Sequence, residues 1–346
     1  MELKDIITYL REYDGEPLTF MEVCGTHTAS ISENGIPSLL SDKIKLISGP
    51  GCPVCVTASS YIDRLCDLAL EPNTCVVTFG DLIRVPGSKT SLQEIKGDGG
   101  NVKIVYSPFE IIDLAKEDND TTFVFAAVGF ETTTPIYALL VDKIISESIN
   151  NIKLLTALKT MPKAIEVLCE MGKKIDGFIA PGHVSVITGA NIFKPLAEKF
   201  QLPFVVSGFK GEELLATIYA LTKLKGQGKV LNLYKSVVND EGNVKANEIV
   251  NKYFEPYKAS WRGIGEIDGS GMALKSEYHI YDAGSLNLVE DKLRNKACRC
   301  KEVITGFTSP NECPLFKKVC TPLNPQGACM VSNEGSCFHY FINNRG

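Results

Sequence analysis

Between residues 17 and about 225, short β-branched or apolar runs alternate with helical segments, and this rhythm constrains the fold of the 346-residue chain more than any other feature. The runs lie at 18–23, 44–47, 75–79, 102–106, 122–128, 152–157, 177–180 and 203–206. Helical candidates follow several of them, at 109–116, 135–148, 163–173 and 212–225. Such alternation predicts βαβ units with parallel sheets, so the fold class is α/β. Eight strands in two sets of four predict two α/β domains, 1–118 and 119–225, joined at the acidic stretch Glu117-Asp118-Asn119-Asp120; one long sheet is the alternative. Past residue 226 the rhythm fades. Residues 229–252 read as mostly helical, and 226–346 as a third, smaller domain held together by whatever its cysteines bind.

The loops after the runs are rich in glycine, proline and small polar residues. They include Cys24-Gly25-Thr26-His27-Thr28, Ser48-Gly49-Pro50-Gly51-Cys52-Pro53-Val54-Cys55, Phe79-Gly80-Asp81, Gly129-Phe130-Glu131-Thr132-Thr133, Pro181-Gly182-His183-Val184-Ser185 and Ser207-Gly208-Phe209. Open α/β sheets bind ligands just beyond the carboxyl ends of their strands. Two such domains facing each other would enclose one cleft.

The formal net charge is −5 and the basic residues are scattered, which argues against nucleic acid as a partner. Apolar runs such as 123–128 are far short of the roughly 20 residues that span a bilayer, and Met1-Glu2-Leu3-Lys4-Asp5 has no apolar signal region. The expected location is the cytoplasm, away from membranes. In a reducing compartment twelve cysteines point to metal, cluster or thiol-redox chemistry rather than to a disulfide framework. Cys24, Cys52 and Cys55 lie near the front, while Cys298, Cys300, Cys313, Cys320, Cys329 and Cys337 crowd the tail, so two separate sulfur sites are expected. Cys66, Cys75 and Cys169 sit in apolar surroundings and read as inert buried thiols.

Cys52-Pro53-Val54-Cys55 has a spacing shared by half a zinc site and a redox dithiol, and its glycines and prolines also suit a tight turn. A closed zinc site needs a second pair, and the front offers only Cys24. The preceding glycines leave backbone N–H groups free to stabilise a thiolate. Cys24 and His27 share one loop, so three thiols and an imidazole can converge on an open site suited to a metal in transit. His27 and His183 can equally be loop histidines bonded to backbone, and Glu131 a helix N-terminal charge before Pro135. In the tail, Cys298-x14-Cys313-x6-Cys320-x16-Cys337 offers four thiolates for a [4Fe-4S] cluster, leaving Cys300 and Cys329 as a redox pair. Spacing alone does not choose the four, and structural zinc is the alternative.

Together with Trp261-Arg262-Gly263, Cys313-Pro314-Leu315-Phe316, Cys320-Thr321-Pro322 and Cys329-Met330-Val331-Ser332, the front loops resemble the HypD family of [NiFe]-hydrogenase maturation factors. The resemblance runs from near residue 20 to the C-terminus. It implies two Rossmann-like α/β domains around a cleft and a C-terminal [4Fe-4S] domain. It also implies a scaffold on which, with the small chaperone HypC, iron receives carbon monoxide and cyanide ligands to give the Fe(CN)2CO group. HypE would donate the cyanide, and the hydrogenase large-subunit precursor would be served indirectly.

Carried over by position, Cys24 is the iron-site thiol shared with a cysteine of HypC, and Cys52 and Cys55 supply electrons or ligate iron. Cys298, Cys313, Cys320 and Cys337 hold the cluster. Cys300 and Cys329 form a redox pair beside it, as in ferredoxin:thioredoxin reductase, and His27, Glu131, Thr132 and His183 line the cleft. The chain departs from the family pattern at Ala58, where proline is common, and at Lys210-Gly211, where Glu-Pro is common. An assembly scaffold with redox activity is therefore expected, and an iron-sulfur protein-disulfide oxidoreductase is the alternative. Neither GxGxxG nor GxxxxGK[ST] follows any strand, which favours the scaffold.

Overall fold

The structure, a computed structural model, describes residues 2–343. All eight anticipated strands form: β1 (Leu18–Glu22), β2 (Ile44–Ser48), β3 (Thr74–Thr78), β4 (Val102–Ile104), β5 (Thr122–Gly129), β6 (Ile152–Lys159), β7 (Gly177–Pro181) and β8 (Phe204–Ser207). Three more follow, β9 (Val230–Asn232), β10 (Phe254–Trp261) and β11 (Gly265–Leu274). They build two sheets. The first, ordered β2-β1-β7-β8-β9, is parallel throughout. The second is ordered β10-β11-β6-β5-β3-β4, with four parallel strands and the antiparallel β10–β11 hairpin along one side. Central strands such as β5 read as unbroken apolar runs because both their faces are covered.

The sheets do not divide at residue 118. The first draws on residues 18–48 and 177–232, the second on 74–159 and 254–274, so each of the expected contiguous segments contributes to both. The acidic stretch is a turn inside the second sheet, leading from the helix Glu110–Glu117 into β5. Asn151 closes it, donating through Nδ2 to the carbonyls of Ala115, Asp118 and Thr121 at 3.0–3.1 Å. The 229–252 segment is helical only over Val244–Tyr253, because Val230–Asn232 pairs with β8 as an edge strand. Local periodicity identifies strands; which distant strand each one pairs with is a tertiary choice.

Renumbered within its own sheet, the first unit has strand order 2-1-3-4-5, and the parallel part of the second has 2-1-3-4. Strand order therefore reverses between β1 and β7 in one and between β3 and β5 in the other, and open α/β sheets place ligands at such points. The residues beyond these strand ends are Val23 to Thr28, Gly182 and His183, Phe79 to Asp81 and Phe130 to Thr132. The glycine-rich loops thus lie where the chemistry of the fold belongs.

The C-terminal region from Cys298 has little regular structure beyond the short helices Cys300–Ile304 and Ser336–Asn343. Its interior is mostly sulfur and small apolar groups, with Val303, Ala328, Met330 and Val331 buried among the cysteines. It packs on the helix Gly25–Glu33 that follows β1: Asn343 Nδ2 donates to Ser32 Oγ at 2.9 Å. The architecture is thus two Rossmann-like parallel-sheet units plus a cysteine-rich C-terminal region. No helix among the described residues is long and apolar enough to cross a membrane.

Candidate functional site

Cys24 is the residue at which β1 turns into the helix Gly25–Glu33; it holds an extended backbone (φ −149°, ψ 120°) before the first helical residue. Its N–H donates to Glu22 Oε2 at 2.9 Å, while Thr28 Oγ1 donates to Glu22 Oε1 at 2.5 Å. Burial pushes the Glu22 carboxyl up to about 7, with those hydrogen bonds pulling the other way. Burial also pushes the Cys24 thiol up to about 12, and the carboxylates of Glu334 and Glu22 add to the shift. Two glycines show what is pressed against the backbone around this residue. A Cβ on Gly51 would lie 2.3 Å from Cys24 N, and one on Gly25 would lie 2.2 Å from Glu334 Cβ. The CxxC loop therefore touches the Cys24 backbone and the tail touches its neighbour Gly25, and only glycine permits either approach.

Cys52 and Cys55 are joined as a disulfide within that loop, and both are buried. The loop docks on the β10–β11 hairpin through an antiparallel bridge between Thr57 and Trp261 and a 2.8 Å bond from Arg262 N–H to the Val56 carbonyl. Gly263 at the hairpin turn has φ +82°, and a Cβ there would meet Lys301 Cα at 2.9 Å. Consecutive residues of one turn thus contact the neighbour of Cys55 and the neighbour of Cys300. One hairpin separates the two thiol pairs.

All six tail cysteines line a single cavity, together with Val303, Phe316, Gly327 and Met330. Cys300 Sγ and Cys329 Sγ are 2.9 Å apart. The Cys329 partner holds the Cys300 thiol down to about 7, with the Arg262 charge assisting against burial. Cys298, Cys313, Cys320 and Cys337 are distributed around the remaining wall. The Gln326 N–H points at Cys320 Sγ from 3.4 Å, and a Cβ on Gly327 would come within 2.9 Å of Cys298 Sγ. Among the described residues no three His, Cys, Asp or Glu groups converge on one metal ion. A zinc site needs four donors about 2.3 Å from a single point, whereas these sulfurs ring a space. Such a donor set suits a cluster, whose four irons sit at alternate corners of a cube and take one thiolate each.

His27 is fully buried. Its Nε2 lies 3.0 Å from the Gly208 carbonyl, its Nδ1 has no hydrogen-bond partner, and burial lowers its pKa to about 4. Phe209 lies between the two histidines, its ring centroid 4.8 Å from that of His27 and 4.0 Å from that of exposed His183. Glu131 lies at the end of β5. Its Oε1 accepts the Met161 N–H at 2.7 Å and its buried Oε2 has no partner. It thus serves the start of the helix Met161–Glu170, not the one beginning near Pro135. Thr132 is exposed in the same loop. Cys66, Cys75 and Cys169 lie apart, their thiols raised by burial.

A profile of HypD, described as the hydrogenase formation hypA family, matches residues 2–344. The chain belongs to the HypD family. It is 40% identical over 327 residues to a hydrogenase expression/formation protein of Methanocaldococcus jannaschii, covering 93% of this chain and 91% of that one. It is 38% identical to the hydrogenase maturation factor HypD of Rhodobacter capsulatus, covering 94% and 89% of the two chains. The identity is 37% to HypD of Escherichia coli K12, covering 98% and 95%.

The departures from the HypD pattern are accommodated. Ala58 has φ −61°, the value a proline ring would impose, and the helix Ser59–Leu70 forms after it. Gly211 occupies the first position of the helix Gly211–Lys223, where proline is tolerated, and Glu213 Oε2 accepts the Lys210 N–H at 3.0 Å. The HypD motifs singled out Cys24, His27 and the dithiol but not Glu22, Glu334 or Asp291. Glu22 leaves one readable signal, a carboxylate ending the apolar strand Leu-Thr-Phe-Met-Glu. Glu334 and Asp291 lie in polar stretches that give none.

Burial raises the Glu131 pKa to about 7 from an ordinary 4.5. Between those pH values the folded protein binds more protons than the unfolded chain, so this residue's contribution to stability falls as pH rises through the window. Glu131→Gln keeps an acceptor for Met161 N–H without the charge. Relative to wild type it is expected to gain stability between pH 5 and pH 8, by up to about 3 kcal/mol. Denaturation of both proteins at the two pH values checks this; equal changes would refute it.

Proposed function

We propose that the chain is a hydrogenase maturation scaffold that holds iron at Cys24 while its diatomic ligands are installed, with thiol pairs managing electrons. The supporting observation is the placement of Cys24 at the reversal point of the first sheet, with the CxxC loop pressed against its backbone and the tail segment bearing Glu334 pressed against the adjoining Gly25. A thiol pushed up to about 12 is protonated at neutral pH. An arriving Fe(II) would displace that proton, and Glu22 and Glu334, both held near 7, stand ready to share it. A HypC-type partner would supply a second cysteine ligand and a HypE-type partner the cyanide.

Cys298, Cys313, Cys320 and Cys337 would hold a [4Fe-4S] cluster, which supplies one-electron chemistry when bound. Cys300 and Cys329 stand as the second dithiol, and the Arg262 charge favours the Cys300 thiolate. Thiol-disulfide exchange requires such a thiolate.

The test is anaerobic co-purification with the HypC partner followed by infrared spectroscopy. Cyanide and carbonyl bands are expected in the wild-type complex and absent in Cys24→Ala; bands that survive the substitution would overturn the proposal. Turnover of a disulfide substrate without the partner would instead favour an oxidoreductase.

A further inference from the structure

β2 is the edge strand of the first sheet: β1 pairs with one side of it and, among the described residues, no strand pairs with the other. Successive residues of a strand turn their backbone groups to opposite neighbours. The Lys43 carbonyl accepts the Leu18 N–H at 2.8 Å, and the Gly49 N–H donates to the Glu22 carbonyl at 2.7 Å, so the odd-numbered residues of this segment face β1. Ile44, Leu46 and Ser48 therefore face outward. The Ile44 N–H is taken by the Ser41 carbonyl at 2.9 Å. The Ile44 carbonyl, both backbone groups of Leu46 and the Ser48 N–H remain, a row with no backbone partner among the described residues.

This row lines a groove of about 680 Å³ whose two flanks differ. On the Leu46 face, the helix Gly25–Glu33 and the short helix Ile36–Leu39 present Ile31, Pro37 and Leu40. That flank is apolar. On the Ile47 face stands the tail loop 306–312, where a Cβ on Gly306 would lie 3.1 Å from Ile47 Cδ1. That flank is charged. Lys45 is exposed, and Lys173 Nζ sits 5.1 Å from the centroid of the Phe307 ring, with Lys45 and Glu312 both within electrostatic reach of it. The Glu312 carboxylate is already committed, accepting from the Thr308 and Ser309 hydroxyls and from the Ser309 N–H at 2.6–2.9 Å. Two ammonium groups against one engaged carboxylate leave this side positive.

We propose that the free edge of β2 takes up an extended segment of a partner polypeptide as an added strand, with apolar side chains turned to the Ile31 flank and acidic ones to the Lys45 flank. Unpaired strand edges are templates for another extended chain, and main-chain hydrogen bonds then carry the affinity while alternate side chains carry the choice. The five residues of β2 set the length of the segment at about five residues, or about 16 Å. A second copy of this chain does not fit, because its own β2 lies between the same two flanks and they would collide. The groove reaches Glu22, whose carboxylate holds the Cys24 N–H, so the segment would end beside the front sulfur site. The proposal stands whether or not Cys24 holds iron.

The probe is a fluorescein-labelled peptide with blocked ends, Val-Glu-Val-Glu-Val, titrated with the full-length protein while its polarisation is recorded. Saturable binding is expected, at least about fivefold tighter than that of Val-Lys-Val-Lys-Val. N-methylation of one alternate set of peptide amides is expected to weaken binding at least about tenfold, because it removes the bonds to β2, whereas methylation of the other set is tolerated. Leu46→Pro deletes an outward N–H without breaking the ladder to β1, and proline is accepted at such edge positions. It is expected to weaken binding at least about fivefold, and more than Leu46→Ala, which keeps the donor. The peptide methylation carries the test even if Leu46→Pro fails to fold. No saturable binding up to about 1 mM, equal losses from the two methylation patterns, or a dimer of the protein that the peptide dissociates would overturn the proposal.

Discussion

Alanine at any one of Cys298, Cys313, Cys320 or Cys337 is expected to abolish the visible iron-sulfur absorption of the anaerobically purified protein, whereas Cys300→Ala and Cys329→Ala are expected to retain it. The asymmetry follows from which sulfurs are already committed to each other. Six thiols line one cavity, and of these Cys300 and Cys329 face each other at 2.9 Å. Four remain to serve as cluster ligands. Burial raises the Cys298 and Cys320 thiols, and the Gln326 N–H directed at Cys320 Sγ opposes that shift, so these thiols stay protonated until a metal displaces the proton. A cluster left with three protein ligands loses iron, and the tail, with few apolar side chains, loses what holds its turns in place. Iron content and absorption should fall together. Retention of the chromophore in Cys298→Ala with its loss in Cys300→Ala would show that the pairing across the cavity is different. Cys329 also lies against Cys337, which helps raise its thiol, so the double variant Cys300→Ser/Cys329→Ser is the sharper control for retained absorption.

The strands and the chemistry-bearing loops were legible in the sequence because their causes are local. Val124, Phe125 and Ala126 lie in an apolar run because β5 is covered on both faces. Glycine and proline after each strand mark turns that a bulkier residue would block, and Gly51 against Cys24 is the clearest case. The CxxC spacing fixed its own geometry. Pairing across sheets was not legible, since nothing within β3 distinguishes a partner at β1 from one at β5. Glu131 illustrates the same gap within the site: its motif marked it as important, yet the helix it serves begins thirty residues later. The partnership of Cys300 with Cys329 depends on how the turns between them fold, so spacing did not choose the four ligands and left structural zinc as an alternative to a cluster.

Asp291 gave no signal at all, yet its replacement is expected to be among the most damaging single changes outside the sulfur sites. It lies between three segments distant in the chain. Oδ1 is 3.3 Å from Arg262 Nε, Oδ2 is 3.0 Å from Lys301 Nζ, and Oδ1 also accepts the Ser59 N–H at 3.3 Å. Arg262 is 2% exposed, and its Nη2 has no hydrogen-bond partner, so no solvent stands ready to take over its charge. Removing one partner of a buried ion pair leaves the other uncompensated, at a cost of about 3–5 kcal/mol. Asp291→Ala should lose stability in that range. Asp291→Asn, which keeps the size and the acceptor for Ser59, should lose most of it if charge is the cause. Replacing the pair together, as Arg262→Met/Asp291→Leu, should recover much of the loss because the desolvation cost of both charges disappears. A loss below about 1 kcal/mol in Asp291→Ala would mean the pair is screened as a surface bridge is. Hydrogen exchange adds a local readout, because the Arg262 N–H that bonds to Val56 and the first turn of the helix Ser59–Leu70 both lean on this carboxylate. Their amides should exchange faster in the variant while those of β5 and β6 do not, since the hairpin turn between the two thiol pairs is what the carboxylate holds in place.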